Sequence, residues 1–210
     1  GVSLKHNTAV LVSHNHLNHC NDLNMVIDAM TYSGLERRGV LLAAKSVVHD
    51  LGESFPIVTK YHQNLVEKMI VMEAKSKVGV DLVEIHALSA KHTDTHAVGF
   101  KLFCPKFIFS YTGDTELTEE LIEELIGTDV LVLNVPYPSK EAKGKNLDSD
   151  SAIKIISKVR PKIVVLTHFG MDMLKADPIQ EARDIQRVTG VQTLAAKDGL
   201  ILAPDSFYTP

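Results

Sequence analysis

The sequence predicts an α/β fold, because buried strands alternate with amphipathic helices along it. Residues 130–135 and 163–167 are near-continuous runs of valine, isoleucine and leucine, which are typical of strands buried on both faces of a sheet. Between them, residues 151–159 have the apolar spacing of a helix that packs on one side. A strand, a helix and a second buried strand in this order indicate a parallel pair, and therefore an α/β domain.

The remaining elements follow from the same periodicities. Residues 9–13 form a short apolar run that ends directly before a histidine cluster, and residues 22–30 have helical spacing with Asn21 or Asp22 as N-cap. Further strands are predicted at residues 39–44, 47–48, 65–74, 81–88, 99–102 and 107–111, and two short ones within 190–202. Further helices are predicted at residues 118–126 and 178–189, and a helix is the alternative for 64–75. Residues 138–149 are polar and lysine-rich, which predicts a surface loop.

Length and composition narrow the class of protein. The chain has 210 residues, of which 45% are hydrophobic, so it can bury one sizeable core and we expect a single domain over residues 1–210. The net charge is −4, and no strongly basic segment is present to bind a phosphate backbone. Non-specific nucleic-acid binding is therefore not favoured, while a nucleic-acid substrate held by a local patch stays open.

Cysteine usage and hydropathy predict the cellular setting. The only cysteines, Cys20 and Cys104, are too few for a disulfide framework or a four-thiolate zinc site, which favours a reducing, cytoplasmic environment. No stretch of about 18 apolar residues is present to span a bilayer, and the first residues lack the layout of a signal peptide. We therefore predict a soluble protein without a membrane partner. Because the chain begins with Gly1 rather than methionine, we also expect part of the natural N-terminus to be absent.

The strongest chemical signal is a histidine cluster between the first strand and the first helix. The segment Ser13-His14-Asn15-His16-Leu17-Asn18-His19 places three imidazoles within six residues. Neutral imidazole is a preferred ligand of zinc and similar ions, and ligands two apart in an extended segment point the same way. A tract of unrelated surface histidines is the alternative. It is less favoured, because such a tract seldom lies between a buried strand and a capped helix.

This segment resembles the His-X-His-X-Asp-His signature of the metallo-β-lactamase superfamily, which includes tRNase Z, glyoxalase II, lactonases and β-lactamases. Residues 91–100 are similar to the tRNase Z-like branch, in which a ligand histidine precedes a Gly-aromatic strand start. The distance of each histidine from Gly99-Phe100 selects His92 over His96. Gly113-Asp114-Thr115 resembles the motif whose carboxylate bridges two metals, with a turn or helix cap as the alternative for Asp114. His168, at the end of a buried strand, is similar to the family's last metal ligand.

The resemblance extends over about residues 9–202 and implies the family's fold, a four-layer αββα sandwich with metals at one edge. The family has additional strands before its first histidine motif, so we expect the N-terminal strands to be missing from this chain. The first sheet would then have an open edge, which another chain would have to cover, and a homo-oligomer is one way to do so.

By resemblance, six residues would bind one or two ions of zinc, with manganese or iron as alternatives: His14, His16 and His92 the first, His19 and His168 the second, and Asp114 both. Two ions roughly 3.5–4 Å apart activate a bridging water and neutralise the developing oxyanion or phosphorane. Ser13, Thr112 and Thr167 are candidates for orienting the imidazoles.

Two positions depart from the family pattern, and both remove acid–base capacity. Asn18 stands where the family has an aspartate that binds the second metal and orients or deprotonates the water, and an amide cannot act as a base at neutral pH. Asn146 stands where related sequences often have a histidine. We therefore expect weaker binding of the second metal. Asp22 and Asp94 are near the motifs in sequence and are candidates to compensate.

The leading interpretation is a metal-dependent hydrolase with a phosphodiester substrate, because the motifs around His92 and Asp114 are closest to the tRNase Z-like branch. The acidic net charge and the lack of an insertion resembling the tRNA-gripping arm argue against tRNA processing. Lys140, Lys143 and Lys145 could still form a small anion-binding rim. The alternatives are hydrolysis of a lactone, thioester or β-lactam, and a binding module that keeps its metal for structure, which Asn18 and Asn146 favour.

Overall fold

The computed structural model describes residues 3–52 and 55–203, and the chain divides into two compact units. The first unit comprises residues 1–74 and 94–98, and the second comprises residues 75–93 and 99–210. In the parts of the chain that the structure describes, no helix is long and apolar enough to cross a membrane.

A parallel sheet of three strands forms the framework of the first unit. Its elements are a 3₁₀ turn Leu4–His6, β1 Ala9–Val12, α1 Leu17–Cys20, α2 Leu23–Met30, β2 Val40–Ala44, α3 Lys45–Val48, α4 Lys60–Leu65 and β3 Lys68–Met72. The strand order is β1-β2-β3, and Leu42 pairs with Leu11 on one side and with Ile70 on the other. The central strand is fully buried from Leu41 to Ala44, which explains its continuous apolar sequence.

A mixed sheet of seven strands forms the framework of the second unit. Its elements are β4 Lys77–Val80, β5 Val83–Ser89, β6 Val98–Phe103, β7 Ile108–Tyr111, α5 Glu119–Leu125, β8 Val130–Asn134, α6 Ser149–Val159, β9 Ile163–Thr167, α7 Met171–Ala176, α8 Pro178–Thr189 and β10 Gln192–Ala195. The order is β10-β9-β8-β7-β6-β5-β4. Strands β7 to β10 are parallel to one another, whereas β6 pairs antiparallel with β7 and β4 with β5.

The parallel strands determine where functional residues of the second unit lie. Because carboxyl ends of parallel neighbours meet at one edge of a sheet, the residues that follow β7, β8 and β9 come together there. The register pairs Asn134, the last residue of β8, with Thr167, the last residue of β9. Alternate residues of these strands, such as Leu131, Leu133 and Leu166, are fully buried in one apolar cluster with residues of α5, α6 and α8. Each such leucine stabilises the fold by about 1.5–3 kcal/mol.

The α/β class is confirmed, the strand predicted over residues 65–74 is present as β3, and two local predictions are wrong. Residues 47–48 belong to the single-turn helix α3 instead of a strand, because burial of Val47 and Val48 overrides their β propensity. The helical alternative for residues 64–75 fails, since α4 ends at Leu65 and β3 pairs with β2. Within residues 190–203 the structure has one strand, β10, rather than two. Neither β4 nor α7 was predicted, because both are short and lack a long periodic pattern.

Candidate metal centre

The histidine cluster of the first unit lies where β1 ends. His14 is fully buried, and its Nε2 faces Nδ1 of His16 at 3.1 Å. Two imidazole nitrogens bound to one tetrahedral zinc ion are about 3.3 Å apart, given Zn–N distances of about 2.0–2.1 Å. The ring of His19, on α1, has its centroid 4.2 Å from that of His14. The donor set and spacing of these imidazoles therefore fit a metal ion.

Asn15, the residue between His14 and His16, is held in place by a group of hydrogen bonds that we call the brace. The backbone N–H of Asn15 donates to Asp94 Oδ2 at 3.0 Å, and the Asn15 side-chain amide donates to Ser46 O at 2.9 Å. The Ser46 hydroxyl donates to the same Asp94 oxygen at 2.6 Å. Because Asn15 is fixed from both its backbone and its side chain, His14 and His16 are fixed with it. The brace consists of Asn15, Ser46 and Asp94.

Asp94 is therefore placed as a structural carboxylate. Burial on its own would raise the pKa of Asp94, but hydrogen bonds from Ser46 Oγ and from the backbone N–H groups of Asn15 and His96, together with the charge of His14, lower that pKa below its ordinary value. Its second oxygen accepts the His96 N–H at 2.9 Å. A carboxylate with both oxygens already bonded to the chain is poorly suited to compensate for Asn18 as a base.

Of the three residues predicted to orient imidazoles, Ser13 does so and Thr112 does not. Ser13 Oγ is 3.0 Å from His14 Nδ1. When the hydroxyl accepts the Nδ1 proton, Nε2 is left as the ligand atom. The Thr112 hydroxyl instead donates to the carbonyl of Gly113 at 3.0 Å and accepts the backbone N–H of Asn134. Thr112 thus supports the turn that carries Asp114 rather than an imidazole.

In the second unit, one carboxylate oxygen faces two imidazoles. Asp114 Oδ2 lies 3.8 Å from His92 Nε2 and 3.5 Å from His168 Nε2. These separations are too long for hydrogen bonds but suit neighbouring ligands of one ion. Asp114 and His92 are both almost completely buried. Asp114, His92 and His168 thus form a donor set that could hold a divalent ion.

Two contacts that the sequence did not predict orient this set. His92 Nδ1 lies 2.9 Å from the carbonyl oxygen of Lys145, and because a carbonyl only accepts, Nδ1 carries the proton and Nε2 presents its lone pair. The buried Asn134 amide donates to Asp114 Oδ1 at 2.7 Å and to the Tyr111 hydroxyl at 3.1 Å. Oδ1 is therefore held by the chain, and Oδ2 is the oxygen that faces the imidazoles.

A signal for Asn134 was present in the sequence. Asn134 is the polar residue at the end of the buried apolar strand β8. The segments that carry Asp114 and His168 follow the neighbouring strands β7 and β9. The Lys145 contact had no such signal, because the interacting atom belongs to the backbone.

His168 has an unusual backbone conformation for a histidine. Its φ is +62°, in the left-handed region, where a residue with a Cβ is strained by about 1–2 kcal/mol. Two residues later, a Cβ on Gly170 would lie 2.7 Å from the carbonyl oxygen of Pro136. The turn after β9 thus packs closely against the segment after β8. Strain of this kind concentrates at functional sites.

Three further residues considered from the sequence are Asn18, Asn146 and His96. Asn18 is exposed on α1, directly before His19. The Asn146 side-chain amide donates to the carbonyls of Lys143 and Gly144, at 3.0 and 3.2 Å, so it closes its own loop. His96, the rival of His92, is half-buried and bonds Asp94 through its backbone.

Comparison with known sequences identifies the family. The beta-lactamase superfamily domain matches residues 2–169, most of the chain. This chain belongs to the β-lactamase superfamily. A superfamily relative, the uncharacterized protein MJ1374 of Methanocaldococcus jannaschii, is 32% identical over 194 residues, which cover 91% of this chain and 72% of that protein.

Solved structures of the superfamily share the fold. The metallo-beta-lactamase fold protein YhfI from Bacillus subtilis has a TM-score of 0.75 at 16% identity, covering 91% of this chain and 76% of YhfI. The short form of human tRNase Z has a TM-score of 0.67 at 12% identity, covering 96% of this chain and 81% of that protein. Proteins of this fold are mostly metal-dependent hydrolases. The superfamily assignment is therefore consistent with the clusters of histidine and aspartate, which could hold a metal ion.

Proposed function

We propose that this chain is a metal-dependent hydrolase that cleaves phosphodiesters with zinc bound by His14, His16, His19, His92, Asp114 and His168. The observation that carries the proposal is the position of Asp114 Oδ2, which faces Nε2 of both His92 and His168. A buried carboxylate with two neutral imidazoles is a donor set for a divalent ion. When bound, zinc would supply an activated water and neutralise the charge that develops on the substrate.

The chain's own residues hold these donors in a binding-competent state. The Lys145 carbonyl keeps His92 in the tautomer whose Nε2 is unprotonated, and the Asn134 amide leaves Asp114 Oδ2 facing the two rings. Preorganised ligands of this kind do not have to reorganise when the ion binds. The phosphodiester preference is supported by the tRNase Z-like motifs around His92 and Asp114, and by the lysines of the loop that contains Lys145.

A metal-holding module without catalysis is the second candidate function. It is favoured by the Asn146 side chain, whose amide is used within its own loop, and by Asn18, which cannot accept a proton from water. The two candidates differ in a single testable property. A hydrolase limited only by a missing base should gain activity when a carboxylate is placed at position 18.

The test compares Asn18→Asp with Asn21→Asp, after metal content per chain has been measured by plasma mass spectrometry. Both changes convert an exposed asparagine of the same short segment into a carboxylate, but only position 18 corresponds to the family's aspartate. Turnover of bis(p-nitrophenyl) phosphate, a lactone and a chromogenic β-lactam is then followed with added zinc or manganese.

We expect phosphodiester turnover that EDTA abolishes, and an increase of about 10²-fold in Asn18→Asp but not in Asn21→Asp, which is the scale of general-base catalysis. Turnover of only the carbonyl substrates would replace the phosphodiester proposal with the lactone or β-lactam alternative. No turnover by any variant, despite bound metal, would favour the non-catalytic module.

A further inference from the structure

Lys145 and His92 hold each other through two contacts. The carbonyl oxygen of Lys145 accepts the His92 Nδ1–H at 2.9 Å, and Lys145 Nζ lies 3.4 Å from the carbonyl oxygen of His92. Lys145 reaches this arrangement with φ at +58°, the left-handed region that a lysine rarely adopts. The loop therefore brings an ammonium group beside a candidate metal ligand in the same unit.

In the described part of the chain, this ammonium group has no carboxylate partner. Among residues 3–52 and 55–203, no carboxylate lies within 4.0 Å of Lys145 Nζ, whereas Lys143 in the same loop pairs with Asp172 at 3.4 Å. Lys91, next to His92 in sequence, pairs with Glu116. An ammonium has three N–H donors, and a single bond to the His92 carbonyl leaves donors for an incoming acceptor.

We propose that Lys145 binds an anionic oxygen of the substrate beside His92 and thereby makes the site selective for phosphate-type anions over neutral esters. This inference rests on the proposed function, because it assigns a specificity-determining residue to that site. The reason is electrostatic: the contact to the His92 carbonyl places the ammonium group beside this residue, so an anion bound there gains a charge-assisted hydrogen bond.

A substitution of Lys145 by glycine would remove the side chain but keep the backbone contact to His92. Glycine adopts the left-handed conformation without strain, so Lys145→Gly should keep the carbonyl that orients His92 while it removes the ammonium. Lys75→Gly is the matched control, because Lys75 is an exposed lysine of the same unit with φ at +69° and its ammonium group pairs with Glu120 at 2.7 Å. Both variants lose one positive charge and gain one glycine.

The probe is inorganic phosphate, titrated calorimetrically into the zinc-loaded protein, together with KM for bis(p-nitrophenyl) phosphate. We expect the phosphate Kd and this KM to rise about tenfold in Lys145→Gly, the effect of losing one charged hydrogen bond, and to change less than twofold in Lys75→Gly. The zinc content should be the same in all three proteins, because the Lys145 carbonyl is retained.

Equal weakening in both variants, or no weakening in Lys145→Gly, would overturn the proposal. Should Lys145→Gly lose zinc, Lys145→Asn takes its place, because asparagine tolerates the left-handed region and also lacks the charge. Phosphate binding that depends on Lys145 without any phosphodiester turnover would retain this inference and refute the proposed function. Turnover with an unchanged KM in Lys145→Gly would do the reverse.

Discussion

The two units of the chain present their candidate metal ligands in different ways. In the first unit, His14, His16 and His19 come from six consecutive residues at the end of one strand. In the second unit, His92, Asp114 and His168 come from distant parts of the sequence and meet because of the strand order. A local set depends on the conformation of one loop, whereas a dispersed set depends on the register of a whole sheet.

The supports of the two sets differ as well. The brace of the first unit joins a half-buried carboxylate, a hydroxyl and the backbone of Asn15, so several hydrogen bonds share the task. In the second unit the buried Asn134 amide donates directly to Asp114 Oδ1 at 2.7 Å. Ser46 is one of several groups in the brace, whereas Asn134 bonds a candidate ligand itself, so loss of Asn134 should cost more zinc affinity. Zinc binding is therefore expected to be more sensitive to changes in the second unit than to changes in the brace.

The largest effect is expected for Asp114→Asn. An amide offers a weaker ligand oxygen and no negative charge to the two facing imidazoles, so at least one zinc ion per chain should be lost. Phosphodiester turnover should fall by roughly 10³-fold, which corresponds to several kcal/mol of lost metal catalysis. Plasma mass spectrometry and initial rates measure the two effects.

Asp148→Asn is the control for this variant. Asp148 is a buried carboxylate of the same unit, but it caps α6 by accepting the Ser151 N–H, a role that asparagine fills equally well. Its zinc content and turnover should be unchanged. If Asp114→Asn kept the zinc content of the unsubstituted protein, zinc binding would not be more sensitive to the second unit, and the comparison between the units would fail.

A smaller effect is expected for Asn134→Leu. Leucine has a similar size but leaves Asp114 Oδ1 without its donor, so zinc affinity should fall about 10–100-fold, the range for residues that orient metal ligands. Competition with a chromogenic chelator measures this affinity. Ser110→Ala is the control, since Ser110 is fully buried in the adjacent strand but bonds Thr128. Equal losses of affinity in both variants would indicate a general effect on the sheet.

The same comparison explains how much could be predicted from the sequence. Strands β8 and β9 and the histidine cluster were predictable because their signals are continuous in sequence. Helix α3 was not predictable, because burial of Val47 and Val48 in the folded chain overrides the β propensity of these residues. The assignment of all six metal ligands to one centre stays a prediction, although the structure brings His14 to His16 in one unit and His92 and His168 to Asp114 in the other.

The supporting residues were harder to predict than the ligands. Asn134 ends a predicted strand, but its contact with Asp114 depends on the sheet register. The Lys145 carbonyl acts through a left-handed backbone, which residue type does not reveal. Asp94 was considered as a substitute base, whereas its hydrogen bonds place it in the brace of the first unit. Motifs therefore identify the groups that bind a metal, and the fold determines which groups orient them.

The smallest effect is expected for Ser46→Ala, which removes one hydrogen bond from the brace. Asn15 N–H still donates to Asp94, and the Ser46 carbonyl still accepts the Asn15 amide, so the loop keeps two of its contacts. Zinc affinity should therefore fall less than tenfold, and the free energy of unfolding should fall by about 1 kcal/mol. Thr31→Val removes a buried hydroxyl of the same unit that bonds Ile27, away from the histidines, and should lower stability similarly without changing zinc affinity. A loss of zinc affinity in Ser46→Ala as large as that in Asn134→Leu would show that the Ser46 hydroxyl supports the local histidine set as strongly as Asn134 supports the dispersed set.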